Sequence, residues 1–161
     1  MTGNLVAACA PARPDHNLVA PVGTRQGRGA PGRRAIRGVI LIVTAQCNLR
    51  CRYCYQNART SRRMRWPVLK AAIERAFQAT TSEIKLIFIG GEPLLAWPAI
   101  RRSIQYIDAH APAGKHVRYA ISTNGLLLSD EIADFLEARD FEVQLSFDGI
   151  AAAQDLRKKG T

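Results

Sequence analysis

The chain has 161 residues, of which 47% are hydrophobic and 22% are charged, and its formal net charge is +10. A chain of this length can bury most of its surface, so it has room for one domain with a real hydrophobic core. No apolar run approaches membrane-spanning length, and the first residues lack the charged-then-apolar order of a secretory signal. These features argue against a membrane protein and against a secreted one.

The positive charge lies almost entirely before residue 66. Up to residue 65 the chain contains twelve arginines and one acidic residue, Asp15, whereas the remainder carries a net charge of −1. Nucleic-acid binding is one interpretation of so basic an end. A solvated tail is the favoured one, because no aromatic side chain interleaves the arginines of residues 1–36. This segment is also rich in proline and glycine and lacks helix or strand periodicity, so we expect 1–36 to be a mostly disordered arm.

From residue 37 onward the hydrophobic pattern alternates between strands and helices. The first strand, at about 37–44, is apolar on both faces, as is typical of a parallel strand covered on two sides. A helix opens at Trp66, and a strand, a helix, a strand, a helix and a fourth strand follow. We expect the later strands at about 84–89, 117–122 and 141–147. We expect the later helices at about 97–110 and from 130, after a Ser129 cap, with the start of another helix at about 151–159.

This alternation predicts an α/β fold with four parallel strands and crossover helices in a single domain, residues 37–161. A polar cluster, in most cases with glycine, follows each strand. Parallel α/β sheets and barrels bind ligands at the carboxyl ends of their strands, so we expect the clusters to meet at one rim. The clusters are Cys47–Cys54, Gly90–Pro93, Ser122–Gly125 and Ser146–Gly149.

The first cluster contains Cys47, Cys51 and Cys54 with the spacing C-x3-C-x2-C. So close a set is unlike a disulfide framework, and we expect a reducing, cytoplasmic location. Thiolates are the usual protein ligands of iron–sulfur clusters, and three of them leave one iron of a cubane open to a small molecule. Zinc is the alternative metal, but it needs a fourth ligand and the histidines are remote in sequence. Cys9 is a distant candidate ligand, although a free thiol is the favoured interpretation.

The segment from Cys47 to Tyr55, with Tyr53 before the last cysteine, resembles the radical S-adenosylmethionine (radical SAM) superfamily. The order Cys-Asn-Leu-Arg-Cys-Arg-Tyr-Cys-Tyr is similar to the branch of anaerobic sulfatase-maturating enzymes and SPASM peptide maturases. The resemblance covers about residues 37–161. It implies the N-terminal part of a partial (β/α)6 TIM-like barrel, a [4Fe-4S] cluster held by the three cysteines, and S-adenosylmethionine as the second cofactor. Arg50 and Arg52 would then either offset the cluster's negative charge or be solvated surface arginines.

Gly90, Gly91 and Glu92 are similar to the GGE motif of the superfamily, which binds the amino group of the methionine moiety. Glycines let a backbone approach a ligand closely, and the carboxylate of Glu92 can accept a hydrogen bond from an ammonium group. Without the resemblance, Gly-Gly-Glu is an ordinary turn followed by a surface acid.

The resemblance assigns the remaining cofactor-binding residues. Tyr53 would pack near the adenine, and Arg157 suits the S-adenosylmethionine carboxylate through its two-pronged donor geometry. The later strand ends, Ser122, Asn124 and Ser146, would line the same pocket. Taken without the resemblance, these segments are strands that end in turns, and Arg157 is a solvated arginine in a terminal helix.

The implied activity is the reductive cleavage of S-adenosylmethionine to start a radical modification of a peptide or protein. A reduced flavodoxin or ferredoxin would supply the electron. The family core has six βα units and this chain supplies four strands, so we expect an incomplete core, inactive alone, that a second chain could complete. No membrane partner is expected, and the substrate and any catalytic residue stay open. The alternative is a non-catalytic metal-binding or nucleic-acid-binding module that works through its basic arm.

Overall fold

A computed structural model describes residues 3–7, 35–56 and 60–159 of the chain. Five strands form one parallel sheet in the order β1-β2-β4-β5-β6, and β3 pairs with β7 in antiparallel orientation. The elements are β1 (Gly3–Ala7), β2 (Ile36–Thr44), β3 (Leu49–Cys51), α1 (Trp66–Phe77), β4 (Glu83–Gly90), a 3-10 helix (Pro93–Ala96), α2 (Trp97–His110), β5 (His116–Thr123), α3 (Asp130–Glu137), β6 (Phe141–Leu145), α4 (Ala151–Gln154) and β7 (Arg157–Lys159).

The four predicted strands correspond to β2, β4, β5 and β6, and a helix connects each to the next. All their pairings are parallel, which confirms the predicted α/β fold. The local signals at the helix starts are also those expected. Pro67 and Pro98 occupy the first turns of α1 and α2, and the Ser129 side chain accepts a hydrogen bond from the backbone N–H of Ile132 at the start of α3.

The hydrophobic core lies between one face of the sheet and the helices. Alternate residues of a strand point to opposite faces. In β2, Leu41 is fully buried and packs in the same core as Leu69 of α1 and Ile104 of α2, whereas its neighbours Ile40 and Ile42 are only half-buried. Both faces of this strand are therefore at least partly covered, and one of them is buried more completely than the other. Helices cover one face, and the other borders the cavity described below.

The N-terminal arm contains a strand that the sequence did not predict. Residues Gly3–Ala7 form β1, a parallel strand on the outer edge of β2, inside the segment that was expected to be mostly disordered. The physical reason is that the edge of β2 offers unpaired backbone groups, and a short run such as Leu5-Val6-Ala7 can pair with them even where proline and glycine dominate the composition around it. The rest of the arm, with Cys9, lies outside the described residues, so its disorder stays a prediction.

The last described segment differs from the prediction. The expected helix at 151–159 is shorter, because α4 ends at Gln154 and residues Arg157–Lys159 form β7. This strand pairs with Leu49–Cys51, which adds a small two-stranded sheet over the cysteine loop. Backbone pairing between residues more than a hundred positions apart leaves no local signal in the sequence. The alanines of α4, by contrast, are a local signal for a helix. None of the helices in the described ranges is both long and apolar enough to cross a membrane.

Candidate functional site

A cavity of about 400 Å³ opens where the strands β2, β4, β5 and β6 end. Ten of the eleven residues predicted for the site line it: nine come from the four strand-end segments, and Arg157 comes from β7. Because the segments are well separated along the chain, only parallel pairing brings them together. The ten are Cys47, Cys51, Tyr53, Cys54, Gly90, Gly91, Ser122, Asn124, Ser146 and Arg157.

The three cysteines are free and half-buried on one wall of this cavity. Their loop is shaped by its own hydrogen bonds, since the Leu49 N–H donates to Cys47 Sγ over 3.4 Å and the Cys54 N–H donates to the Cys51 carbonyl over 3.1 Å. The pairing of β3 with β7 supports the middle of the loop. Arg50 and Arg52 are exposed and do not line the cavity.

Burial raises the pKa of the Cys47 thiol above its ordinary value of 9.0. The hydrogen bond from the Leu49 N–H lowers this pKa, and negative charge on Glu92, Cys51 and Cys54 raises it. Burial is the largest of these causes, so the metal-free site favours the neutral thiol at Cys47. A metal that binds here must displace this proton, as thiolate coordination generally requires.

The donor chemistry fits an iron–sulfur cluster better than a single zinc ion. In the described part of the chain, no three Cys, His, Asp or Glu side chains are grouped closely enough to hold one metal ion. In a cubane each thiolate binds a different iron atom, so the thiols need not converge on one point. His110 and His116 lie at the end of α2 and the start of β5, whereas the cavity lies at the carboxyl ends of the strands.

Gly90 and Gly91 lie so close to neighbouring backbone that only glycine fits at either position. A Cβ on Gly91 would lie 2.2 Å from the Gln46 carbonyl oxygen, and one on Gly90 would lie 2.3 Å from the Thr44 carbonyl oxygen. Real Cβ atoms do not approach backbone so closely. The close approach lets the Gly91 N–H donate to the Thr44 carbonyl over 2.9 Å, so this turn is joined directly to the start of the cysteine loop.

Glu92 is the one predicted site residue that does not line the cavity. Its side chain is 0% exposed, and its carboxylate accepts hydrogen bonds from the Leu94 N–H, the Thr123 hydroxyl and the Asn124 N–H. The carboxylate was expected to accept from the ammonium group of a ligand. The structure surrounds it with protein donors, because the turn after β4 folds inward against the end of β5.

Asn124 connects the end of β5 to the cysteine loop. Its Nδ2 group donates to Asn48 Oδ1 over 2.8 Å and lies 3.9 Å from Cys47 Sγ. Its Oδ1 atom accepts from the Leu126 N–H, which holds the turn that follows. Ser122 lies two residues earlier, at the end of β5, and faces the same cavity.

Arg157 lines the cavity from β7, beside the cysteine loop, where its guanidinium group binds both carboxylate oxygens of Asp148 and donates to the Ser146 carbonyl over 2.6 Å. The Tyr53 hydroxyl donates to the same Asp148 carboxylate. The hydrogen bond from Arg157, followed by the one from Tyr53, holds the pKa of Asp148 below its ordinary value. Tyr53 and Arg157 are therefore both on the cavity wall, and Asp148 joins them to each other.

Several polar residues that contribute to this site were missed by sequence reasoning. Asp148 and Asn48 lie inside predicted motifs, so their polar side chains were the available signal. Gln56 lines the cavity and donates to the Gly90 carbonyl over 3.2 Å, two residues beyond the last cysteine. Gln144 lines it from β6, two residues before Ser146, and strand alternation places the two on the same face.

Comparison with known proteins bears on the identity of this cavity. The family model described as the Radical SAM superfamily matches residues 41–161, which is most of the chain and includes every strand-end segment of the cavity. The chain belongs to the radical SAM superfamily. The predicted resemblance is thereby confirmed.

Several curated relatives within the superfamily carry the same part of the sequence. An uncharacterized protein of Methanocaldococcus jannaschii is 34% identical over 122 residues, which cover 76% of this chain and 42% of the relative. The cysteine-type anaerobic sulfatase-maturating enzyme of Clostridium novyi is 27% identical over 130 residues, covering 76% of this chain and 35% of the enzyme. The serine-type anaerobic sulfatase-maturating enzyme of Klebsiella aerogenes is 34% identical over 118 residues, covering 70% and 29%.

Solved structures show the same similarity. The structure described as native anSMEcpe with bound AdoMet and Kp18Cys peptide matches with a TM-score of 0.69 and 29% identity, over 76% of this chain and 34% of that one. The radical SAM architecture predicted for this chain is therefore confirmed, together with its similarity to sulfatase-maturating enzymes. The chain spans between 27% and 42% of the length of the first three curated relatives it matches.

Proposed function

We propose that this chain binds a [4Fe-4S] cluster through Cys47, Cys51 and Cys54, and binds S-adenosylmethionine in the adjacent cavity. We propose further that it provides the radical-generating part of an enzyme that modifies a peptide or protein. The observation that carries this proposal is the common cavity: three thiols and the polar ends of three further strands line one space large enough for a nucleotide-sized ligand. The superfamily to which the chain belongs implies the same two cofactors.

The roles proposed for the protein groups follow from their positions. The three thiolates would hold the cluster, and the two bound cofactors would supply the reductive cleavage that starts radical chemistry on the substrate. The wall formed by Gly90 and Gly91 would offer backbone atoms to the methionine end of the ligand. Tyr53, Ser122, Asn124, Ser146 and Arg157 would orient the rest of the ligand and exclude water.

A peptide or protein substrate is supported by the relatives, because the sulfatase-maturating enzymes act on such substrates and one neighbour is described with a bound peptide. Another relative is the radical SAM cyclopropyl synthase of Paramaledivibacter caminithermalis. We propose a reduced flavodoxin or ferredoxin as the electron donor, because the reductive cleavage consumes one electron and needs an external source for it. A cytoplasmic location stays a proposal, based on the cysteine content.

A polypeptide that supplies further βα units is proposed as the remaining partner. In the described part of the chain, β6 pairs on one side only, with β5, and its side chains Val143 and Leu145 are 42% and 54% exposed. A strand beside β6 and a helix over these side chains would cover both. The four strands of the cavity would then form part of a closed or nearly closed barrel.

Anaerobic purification tests cluster binding. We expect a brown protein with a broad absorption at about 400 nm and close to four iron and four sulfide per chain, because the thiols face one cavity. Cys47→Ala, Cys51→Ala and Cys54→Ala should each lower the iron content severalfold. Cys9→Ala is the matched control and should keep its iron. A colourless protein that holds zinc would contradict the proposal and favour the non-catalytic metal-binding alternative.

Turnover is tested separately. The reconstituted chain should bind S-adenosylmethionine but release little 5′-deoxyadenosine under reducing conditions, because the edge of its sheet leaves the cavity open to water. Addition of a polypeptide with the missing βα units should raise this release. Robust cleavage by the isolated chain would refute the proposed need for a second part.

A further inference from the structure

The Glu92 side chain is fully buried and accepts three hydrogen bonds from protein groups. The distances are 3.0 Å from the Leu94 N–H, 2.7 Å from the Thr123 hydroxyl and 2.8 Å from the Asn124 N–H. A carboxylate in the interior costs a large desolvation free energy unless donors satisfy it. In the described residues no buried side-chain nitrogen or oxygen atom lacks a partner, so the donors around Glu92 meet this requirement.

These three donors belong to two different segments. The Leu94 N–H lies in the 3-10 helix after β4, whereas Thr123 and Asn124 end β5. Thr123 is itself 1% exposed, and its hydroxyl also accepts from the Gly125 N–H over 3.1 Å. The carboxylate therefore fixes the turn at the end of β5 relative to the turn at the end of β4.

A third segment, the cysteine loop, is joined to both turns. The Glu92 N–H donates to the Gln46 carbonyl over 2.7 Å, one residue before Cys47. On the other side, the Asn124 amide group donates to Asn48 Oδ1 over 2.8 Å. Glu92 thus holds the loop directly through its backbone and indirectly through Asn124.

We propose that Glu92 is a positioning residue: its carboxylate sets Asn124 and the cysteine loop in place and does not contact the bound cofactor. This inference rests on the proposed function, because it concerns the site for S-adenosylmethionine. It assigns the glutamate of the motif to the protein interior and leaves contact with the ligand to the backbone of Gly90 and Gly91. Nothing of the Glu92 side chain is exposed to the cavity.

Hydrogen exchange tests the network without any ligand. Glu92→Gln keeps the size of the side chain and one acceptor oxygen, but places an NH2 group opposite one of the three donors. In the full chain as purified, we expect exchange to become about tenfold faster in the peptides that contain Asn124 and Cys47. The peptide of α2 around Ile104 is the internal control and should not change. Unchanged exchange at both sites would overturn the positioning role.

Ligand binding distinguishes positioning from direct contact. We would measure dissociation constants for S-adenosylmethionine and for 5′-methylthioadenosine, which lacks the amino and carboxylate groups. If Glu92 acts by positioning, Glu92→Gln should weaken both ligands by a similar factor, about tenfold. If Glu92 contacts the ammonium group, only S-adenosylmethionine should weaken, and the inference is wrong. If the unmodified protein binds neither ligand, the proposed function fails instead.

A double-mutant cycle identifies the residue through which Glu92 acts. Asn124→Ala removes the link to Asn48, so the effects of Glu92→Gln and Asn124→Ala on methylthioadenosine binding should be strongly non-additive. Additive effects would contradict the proposed route. Thr123→Val serves as a second variant should Glu92→Gln fail to fold, because it removes one donor to the carboxylate and should also speed exchange at Asn124.

Discussion

Single residues in the strand-end motifs hold protein segments together, besides lining the cavity. Gly90 and Gly91 let their backbone approach that of Thr44 and Gln46 closely, and the Glu92 carboxylate accepts a hydrogen bond from the Asn124 N–H in the turn after β5. Asp148 accepts hydrogen bonds from both Arg157 and Tyr53 on the cavity wall. The fold therefore restricts which side chains fit at these positions, because each close approach excludes larger ones.

Gly91→Ala should lower the free energy of unfolding by about 2 to 3 kcal/mol, because its Cβ would lie 2.2 Å from the Gln46 carbonyl oxygen. Urea denaturation under anaerobic conditions measures the change. Gly114→Ala is the matched control: Gly114 has a φ of +76° and no atom within 4 Å of the place its Cβ would take, so only backbone strain of about 1 kcal/mol applies. Equal losses in the two variants would contradict the steric explanation.

The buried phenol of Tyr119 should make the fold sensitive to alkaline pH. Burial, with a contribution from the charge of Asp108, raises its pKa from 10.0 to about 12. A raised pKa of an acid means that stability is fully present below the unfolded value and is lost as the pH rises from about 10 through about 12. Between pH 9 and pH 11, unmodified protein should lose about 1 kcal/mol more than Tyr119→Phe. Urea denaturation at the two pH values measures this, and parallel losses would refute it.

Among the elements, β7 depends on distant partners more than on its own sequence. It pairs with β3 of the cysteine loop, and the ion pair between Arg157 and Asp148 ties it to the segment after β6. The cysteine loop is therefore supported on one side by Gly91 and on the other by the end of the described chain.

Asp148→Asn should loosen this small sheet. The carboxamide retains an acceptor for one donor but loses the charge that binds the guanidinium group of Arg157. Hydrogen exchange in the peptides containing Leu49–Cys51 and Arg157–Lys159 should become up to about fivefold faster. Glu142→Gln is the matched control, because it removes the ion pair between Glu142 of β6 and Lys85 of β4 and leaves β7 untouched. Faster exchange in both variants alike would argue against a specific role of Asp148.

For the whole molecule, the parallel sheet is covered well at its centre and poorly beyond β5. Helices cover the buried face of β2 and β4, whereas Val143, Leu145 and Phe147 are exposed on and just after β6. An exposed strand edge with apolar side chains tends to associate with other chains. The partner polypeptide proposed above would cover this edge.

Val143→Lys should reduce self-association of the isolated chain with little change in stability, because the side chain is 42% exposed. Sedimentation velocity over a range of concentrations measures the shift toward monomer. Val68→Lys is the matched control, since Val68 is 46% exposed on α1, away from β6, and should leave association unchanged. A similar response from both variants would point to general solubility instead of edge pairing.

The sequence by itself determined the alternation of strands and helices, the three cysteines and the four motifs at the strand ends. These depend on hydrophobic period, capping residues and spacing, all of which are local and can be read over a few residues, as at Ser129 and Pro67. Parallel pairing then requires the motifs to share one rim, which is why nine predicted residues from these motifs line one cavity.

Only the tertiary structure decided which of those groups line the cavity and which are buried among protein groups. Glu92 is buried, and Arg157 binds Asp148, because the turns after β4 and β6 fold back on neighbouring segments. The pairing of β1 with β2 and of β7 with β3 depends on backbone groups of distant residues. Hydrogen bonds and burial between residues far apart in the chain have no local period, so composition and spacing alone do not reveal them.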